Sequence, residues 1–365
     1  ASTGSLDDRV SVSIIVLILY NIYKMISMLD YSTVVTGGAT KQRTSKKGRP
    51  DNVSLKGLTT TTSECAESTE IGIGKPCASK KIINIVEQYA DAFDADAADP
   101  RVTGMLPRGG GDAAVIRRAA NTMDCDSESC VLSHPSLLKF VVSKKIAPAS
   151  IIERELETRF KAKGPRNSTA LLSNYNIDET LQKWAHVYTD FYPCPFAMMD
   201  FDTNGDVFGN IDICDVLNGI AHVDLGPAHG RVKRPSKCFG CVVNTDVSSG
   251  PGKHWVAVMV DCRPDDDWHV EYFNSTGRPP PMAIVHWMEK TRNCLVKYRA
   301  KNSHTAPCGV KTIAVTNVDH QESQTECGMY ALFYIRRRLE NTPHTFFFGD
   351  RIPDNAMTEF RTHVF

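Results

Sequence analysis

The sequence lacks any charge imbalance: 42 lysines and arginines meet 42 aspartates and glutamates, for a formal net charge of zero. Without a global field, attraction of nucleic acid over the whole surface is excluded, and only a local basic segment could serve that purpose. A disulfide-like spacing is missing too. The 12 cysteines are scattered over 365 residues, which suits a reducing compartment and leaves room for a nucleophilic thiol. Metal-binding patterns fail one by one. Asp200-Phe201-Asp202-Thr203-Asn204-Gly205 begins like a calcium loop, but Ile211 stands where a bidentate Glu is needed. Cys238 and Cys241 form a lone pair without a second pair at zinc spacing, and on a strand they point to opposite faces. His269-Val270-Glu271 with Pro307-Cys308 resembles part of a zinc deaminase signature, yet Lys311 replaces the second cysteine. The histidines His222, His229, His286 and His304 have no partner pattern. No metal and no cofactor is expected.

There is no internal repeat and no strand–helix–strand regularity, which argues for an α+β chain. A length of 365 residues accommodates one large domain or two small ones. The one long apolar run is residues 10–29, from Val10 to Leu29, interrupted by Lys24. It is barely long enough to span a bilayer, and no small-residue cleavage site follows it. It is open to three readings: a membrane anchor, a helix packed on the domain or a partner, or a segment outside the functional protein, with the start near Met25 or Met28. A basic arm from Lys41 to Arg49 follows. It reads as a solvated tether, with nucleic-acid contact as the alternative. Thr36-Gly37-Gly38-Ala39 and Arg108-Gly109-Gly110-Gly111 are glycine pairs on linkers.

Three segments are expected: an apolar and basic linker over residues 1–69, a mostly helical extension over 70–167, and a domain of mixed strands and helices over 168–365. In the extension, Ile82, Ile83, Ile85, Val86 and Tyr89 carry helical spacing over residues 80–92. Residues 131–160 read as helical pieces broken at Pro135 and Pro148. In the third segment, residues 177–188 form a helix capped by Asn176 or Asp178, and residues 237–244 a strand. Residues 281–292 form a helix opened by proline. Residues 295–298 and 311–316 are further strands.

The chemistry is concentrated near the end. A polar run, Asp319 to Glu326, leads to Cys327, and an apolar helical pattern with Arg336-Arg337-Arg338 at its end follows. A cysteine at a helix start faces free N–H groups and the positive end of the dipole, which favour a thiolate. Lys253-His254-Trp255 opens an apolar strand, and a turn later Trp268 to Phe273 returns as the second strand of a hairpin ending in Asn274. The two ends of a hairpin are neighbours, so His254 and Asn274 can meet. A cysteine nucleophile needs such a base, and the base needs a group to hold its ring.

His-Trp at a strand start, Tyr272-Phe273-Asn274-Ser275 at a strand end, and Gln321 six residues before Cys327-Gly328-Met329-Tyr330 resemble the ubiquitin-like-protein-specific cysteine proteases. That clan includes deSUMOylating enzymes, the adenovirus protease and thiol proteases of giant and algal large DNA viruses. Leu171-Leu172-Ser173-Asn174, Ile177 to Leu181, Asp200-Phe201-Asp202, Val243-Asn244-Thr245-Asp246 and Arg351-Ile352-Pro353-Asp354 are similar to the viral members. The likeness covers roughly residues 168–365. It implies a papain-like or adenain-like α+β core, with a central mixed sheet flanked by helices, to which the residues before 168 add an N-terminal extension expected to be helical and partly disordered. It further implies Cys327 as nucleophile, His254 as base, Asn274 as orienting residue, Gln321 as oxyanion donor and Trp255 over a narrow substrate cleft. The implied activity is a viral thiol endopeptidase cutting after Gly-Gly-X or Ala-Gly-X sequences in virion precursors, in the virion and the infected host cell cytoplasm. A deconjugase acting on SUMO- or ubiquitin-like proteins and a non-enzymatic virion component are the rival expectations. Such a specificity would also allow the enzyme to cut its own chain before Ala39.

Overall fold

The computed structural model describes residues 64–66, 75–96, 111–166, 168–265, 267–302 and 309–365. The apolar run, the basic arm and the Gly37-Gly38 pair lie outside the described residues, as does the linker over 101–110. Among the described residues, no helix is long and apolar enough to cross a membrane.

Five helices come first: α1 (Lys80–Asp96), α2 (Asp112–Met123), α3 (Glu128–Ser133), α4 (Pro135–Ser143) and α5 (Ser150–Arg159). The breaks follow the sequence. Pro135 cannot donate an N–H to a continuing helix but suits the first turn of a new one, and α4 begins on it. Ile82, Val86, Ala119, Leu132, Leu137, Val141 and Ile152 bury their side chains in one shared core that ends at Phe160. A second core begins at Ala162 and takes in the rest of the chain.

That second part opens with α6 (Asn174–Val187), followed by β1 (Phe191–Pro193), β2 (Ala197–Met198), α7 (Val207–Asn210), α8 (Ile213–Leu217) and the hairpin β3 (His222–Asp224) and β4 (Arg231–Lys233). Then come β5 (Cys238–Asn244), β6 (Trp255–Asp261), β7 (Trp268–Phe273), α9 (Met282–Asn302), β8 (Val310–Val315), α10 (Cys327–Leu339), a 3-10 turn (His344–Phe348) and α11 (Asp354–Val364). The central sheet runs β1-β5-β6-β7-β8, with β2 also on β5. β5, β6 and β7 are antiparallel, whereas β1 and β2 join β5, and β8 joins β7, in parallel. The fold is α+β with a mixed sheet flanked by helices. Both β5 and β6 are buried along their whole length, and α10 packs against them.

Three expectations change, and one buried ion cluster is added to them. Residues 295–298 are helical: Ile284, Met288, Thr291 and Leu295 form one buried stripe of α9, so the helical period continues past Arg292. The cap of α6 is Ser173, whose hydroxyl accepts the Asn176 N–H while the Asn176 side chain accepts the Ser173 N–H. The cysteines are not free of pairing, since Cys65–Cys77, Cys125–Cys130 and Cys214–Cys294 close as disulfides. The third joins residues 80 apart in sequence, a proximity that only the tertiary fold creates. In addition, the basic end of α10 reaches into the core. Arg338 is buried against Glu271, at 2.6 Å, and Asp261, at 3.2 Å. Burial alone would raise the Glu271 pKa, but the His269 ring 3.6 Å away, the Arg338 charge and hydrogen bonds from Arg338 and Tyr334 hold it at about 2.

Candidate active site

His254 enters β6 and Asn274 leaves β7, with Ala257 opposite Phe273 in the ladder between them. The imidazole Nε2 lies 2.8 Å from Asn274 Oδ1. The amide orientation follows from its other partners. The backbone N–H of Thr276, 3.0 Å away, can only donate, so the Asn274 atom facing it is the oxygen. The Nδ2 group of Asn274 in turn donates to Tyr272 Oη at 3.1 Å. Nε2 of His254 therefore carries the proton in that bond, and Nδ1 keeps the lone pair of a base. The turn behind Asn274 is tight: Gly277 N–H returns to Asn274 O at 2.9 Å. Gly277 has φ +66°, and a Cβ there would also press on Val318.

The approach to His254 is held by the 243–246 segment. Asn244 Oδ1 accepts from the N–H groups of Asp246 and Lys253, and Asp246 takes the Lys253 ammonium at 2.7 Å. Thr245 N–H donates to His254 O at 2.8 Å. Polar residues in that motif thus fix the backbone on which the imidazole sits.

Cys327 is the first residue of α10 and is buried. Gly328 beside it is required by close approach, because a Cβ there would sit 3.2 Å from Leu172. Beneath the helix start, Glu326 pairs with Arg361 at 2.8 Å, both fully buried. Arg361 also reaches Ala170 O at 3.1 Å, so α11 ties the helix start to the segment before Leu171. Burial pushes the Cys327 thiol up; the N–H groups of Trp255, Gly328 and Cys327 itself pull it down. Burial likewise pushes His254 below the usual imidazole range, opposed by the Asn274 bond and reinforced by the Arg278 charge. Both directions favour the uncharged pair, thiol and imidazole, over a resting thiolate and imidazolium.

This has a measurable consequence. Protonation removes the base, so kcat/KM should fall with acid along a limb whose midpoint lies below about pH 6.5, the free imidazole value. Alkylation of Cys327 by iodoacetamide should keep climbing above pH 8. A plateau reached near pH 4, as for an imidazolium-paired thiolate, would contradict the uncharged pair.

The loop before Cys327 is braced from two sides. His320 and Gln321 donate backbone N–H groups to Ser275 O, at 2.7 and 3.1 Å. On the other side, Arg351 donates to His320 O, Ile352 N–H to His320 Nδ1, and Ser323 N–H to Asp354. The Ser323 carbonyl can only accept, so it sets the Gln321 amide direction, and the amide oxygen accepts from Ser275 Oγ at 2.7 Å. One N–H of that amide goes to Ser323 O at 2.7 Å, and the second remains for another acceptor.

A cleft of ≈ 710 Å³ contains His254, Trp255 and Cys327 in its lining. Gln321 lies outside that lining, next to Asn274 through Ser275. Trp255 is buried on the wall, edge-on to Phe196 at 6.1 Å between ring centroids. Part of the remaining wall has no counterpart among the expected site residues: Leu171, Leu172, Asn204, Asp206 and Ser248 come from three separate loops. The Leu171-Leu172 motif was legible as a likeness, but its place on the cleft was not. Asp200 of the calcium-like loop accepts from Ser248 Oγ at 2.6 Å, joining two of those loops. Cys238 and Cys241 are buried away from the cleft, Cys238 near Asp261 and Cys241 on Pro195 O.

Comparison with known proteins supplies an independent line. The model of the Ulp1 protease family, C-terminal catalytic domain, matches residues 241–365. A cysteine protease of African swine fever virus is 52% identical over 245 residues, 67% of this chain and 84% of that protein. A SUMO-1 cysteine protease from a second isolate of that virus is 51% identical over the same shares. A crystal structure of the African swine fever virus protease superposes with a TM-score of 0.65 at 43% identity, covering 85% of this chain and 98% of that one.

Proposed function

The chain belongs to the Ulp1 protease family and is a cysteine protease of the viral kind, and on that premise we propose that it is an endopeptidase cleaving after small residues in virion precursor proteins. Family membership removes the reading of a non-enzymatic virion component. The observation that carries the proposal is the His254–Asn274 bond, with His254 and Cys327 lining the same cleft.

Cys327 Sγ attacks the scissile carbonyl as His254 Nδ1 takes its proton. The same imidazolium then gives that proton to the leaving amine, and water hydrolyses the thioester with His254 again as base. Asn274 holds the ring. Having no charge, it stabilises the imidazolium less than a carboxylate would, so orientation is its main contribution. The backbone N–H of Cys327 and the unspent N–H of Gln321 receive the oxyanion, provided the Gln321 amide turns toward the cleft when substrate binds. The aromatic wall of Trp255 and Phe196 favours a backbone with little side chain, hence the Gly-Gly-X or Ala-Gly-X preference. We place the activity in the virion and the infected host cell cytoplasm. The division into residues 1–69, 70–167 and 168–365 is part of the same proposal.

Deconjugation of a ubiquitin-like protein is the second reading, favoured by the name of one relative, a SUMO-1 cysteine protease. One assay separates the two: cleavage of Gly-Gly-X peptides from virion precursors beside SUMO and ubiquitin fusions. Faster turnover of the precursor peptides is expected. Cleavage confined to the SUMO fusion would overturn the maturation reading and leave the protease assignment intact.

A further inference from the structure

Far from Cys327 in the chain, three side chains from three elements converge. Glu157 lies on α5, His186 on α6, and His229 on the turn between β3 and β4. A carboxylate oxygen and one nitrogen from each ring all lie within 4.8 Å of one another. We propose that this cluster is a binding site for a single zinc-type divalent ion, which pins the helical extension to the protease core.

The donor set suits such an ion. Two neutral imidazoles and one carboxylate are a zinc ligand set that leaves a fourth position for water. The surroundings hold the donors as ligands are commonly held. His186 Nε2 lies 2.9 Å from Leu225 O and donates to it, which leaves Nδ1 with the lone pair. Glu157 Oε1 accepts the Ala228 N–H at 2.8 Å, which leaves Oε2 for the cluster. Oε2 now sits 2.6 Å from His229 Nδ1. The His186 and His229 rings stand edge to face, with centroids 4.6 Å apart.

All three residues are half-buried, so an ion has access and the donors have support. Gly226 makes the approach of the turn to Glu157 feasible: it has φ +95°, and a Cβ there would meet the carboxyl carbon at 3.0 Å. Lys183, one turn before His186, opposes a cation. Its ammonium is turned onto Leu156 O and Glu157 O and lies 3.9 Å from Glu179. An ion needs donor separations of about 3.3 Å for bonds of about 2.0 Å. Small side-chain rotations would bring the donors there, with the Glu157–His229 hydrogen bond exchanged for two metal bonds and the Nδ1 proton of His229 passing to its Nε2, so that a neutral imidazole binds the ion.

The test uses the full chain carrying Cys327→Ala, which removes the catalytic thiol as a competing ligand. After chelator treatment the protein is titrated with Co²⁺, followed by visible absorption, and with Zn²⁺, followed by thermal melting. One equivalent of Co²⁺ should give tetrahedral bands without a sulfur charge-transfer band. Zn²⁺ at a hundredfold excess over its Kd should raise Tm by about 5 °C. Both signals should vanish in His229→Ala and weaken in Glu157→Gln, whose amide oxygen keeps the Ala228 bond and hence the fold. His286→Ala, on an exposed face of α9, should leave them unchanged. No Co²⁺ bands, bands with sulfur character, or equal binding in His229→Ala would each overturn the site.

Discussion

Cys327→Ala should lower turnover of a Gly-Gly-X peptide by about 10⁴- to 10⁶-fold, the scale on which loss of a nucleophile is felt. The chain should remain folded. The change removes one sulfur at the first turn of a helix whose other residues keep their packing, at a stability cost of about 1 kcal/mol. The other cysteines of the sheet region provide the control. Cys238 and Cys241 are buried outside the cleft, and alanine at either should retain most activity. Peptide turnover with circular dichroism on the same samples separates lost chemistry from lost fold. Wild-type turnover in the Cys327 variant would end the assignment.

The second large effect divides the base from its support. His254→Ala removes the proton acceptor, and a loss approaching that of Cys327→Ala is expected. Asn274→Ala leaves the imidazole in place but frees its ring, and a loss of about 10- to 100-fold is expected, as for other residues that only orient a histidine. Asn274→Asp should remain active. A carboxylate accepts the His254 Nε2–H and the Thr276 N–H as the amide oxygen does now. Tyr272 Oη, which presently accepts from Nδ2 and donates to Pro279 O at 3.5 Å, can turn its proton to a carboxylate instead. The new charge should also raise the His254 pKa, so the acid limb of kcat/KM should move to higher pH than in wild type. A folded but inactive Asn274→Asp enzyme, or an acid limb moved downward, would count against the orienting role.

What could be read from the sequence followed from local rules. Hairpin geometry alone brings His254 to Asn274, because residues at the two ends of paired strands must be neighbours. The switch from polar run to apolar helix places Cys327 at the start of α10. What could not be read depends on distant parts of the chain. The Arg336-Arg337-Arg338 run reads as the basic end of a helix, but its spacing does not show that Arg338 finds Glu271 and Asp261 inside the sheet region. Ser173 caps α6 where Asn176 or Asp178 was expected, because the capping box begins four residues before Ile177, the first residue of the apolar period. Leu295 belongs to a helix that runs longer than its opening pattern suggests. The disulfides and the Glu157–His186–His229 cluster join residues that sequence spacing does not relate. The segment from Arg351 to Asp354 is another such case: a motif visible as a likeness, whose work is to brace the loop carrying Gln321.

The most direct measurement uses a Gly-Gly peptide whose C-terminus carries a vinyl electrophile in place of the scissile bond. It is incubated with the full chain, and the adduct is mapped by mass spectrometry. One adduct per chain on Cys327 is expected, absent from Cys327→Ala and strongly slowed in His254→Ala. An adduct on another cysteine, formed equally fast in Cys327→Ala, would contradict Cys327 as the nucleophile of this protease.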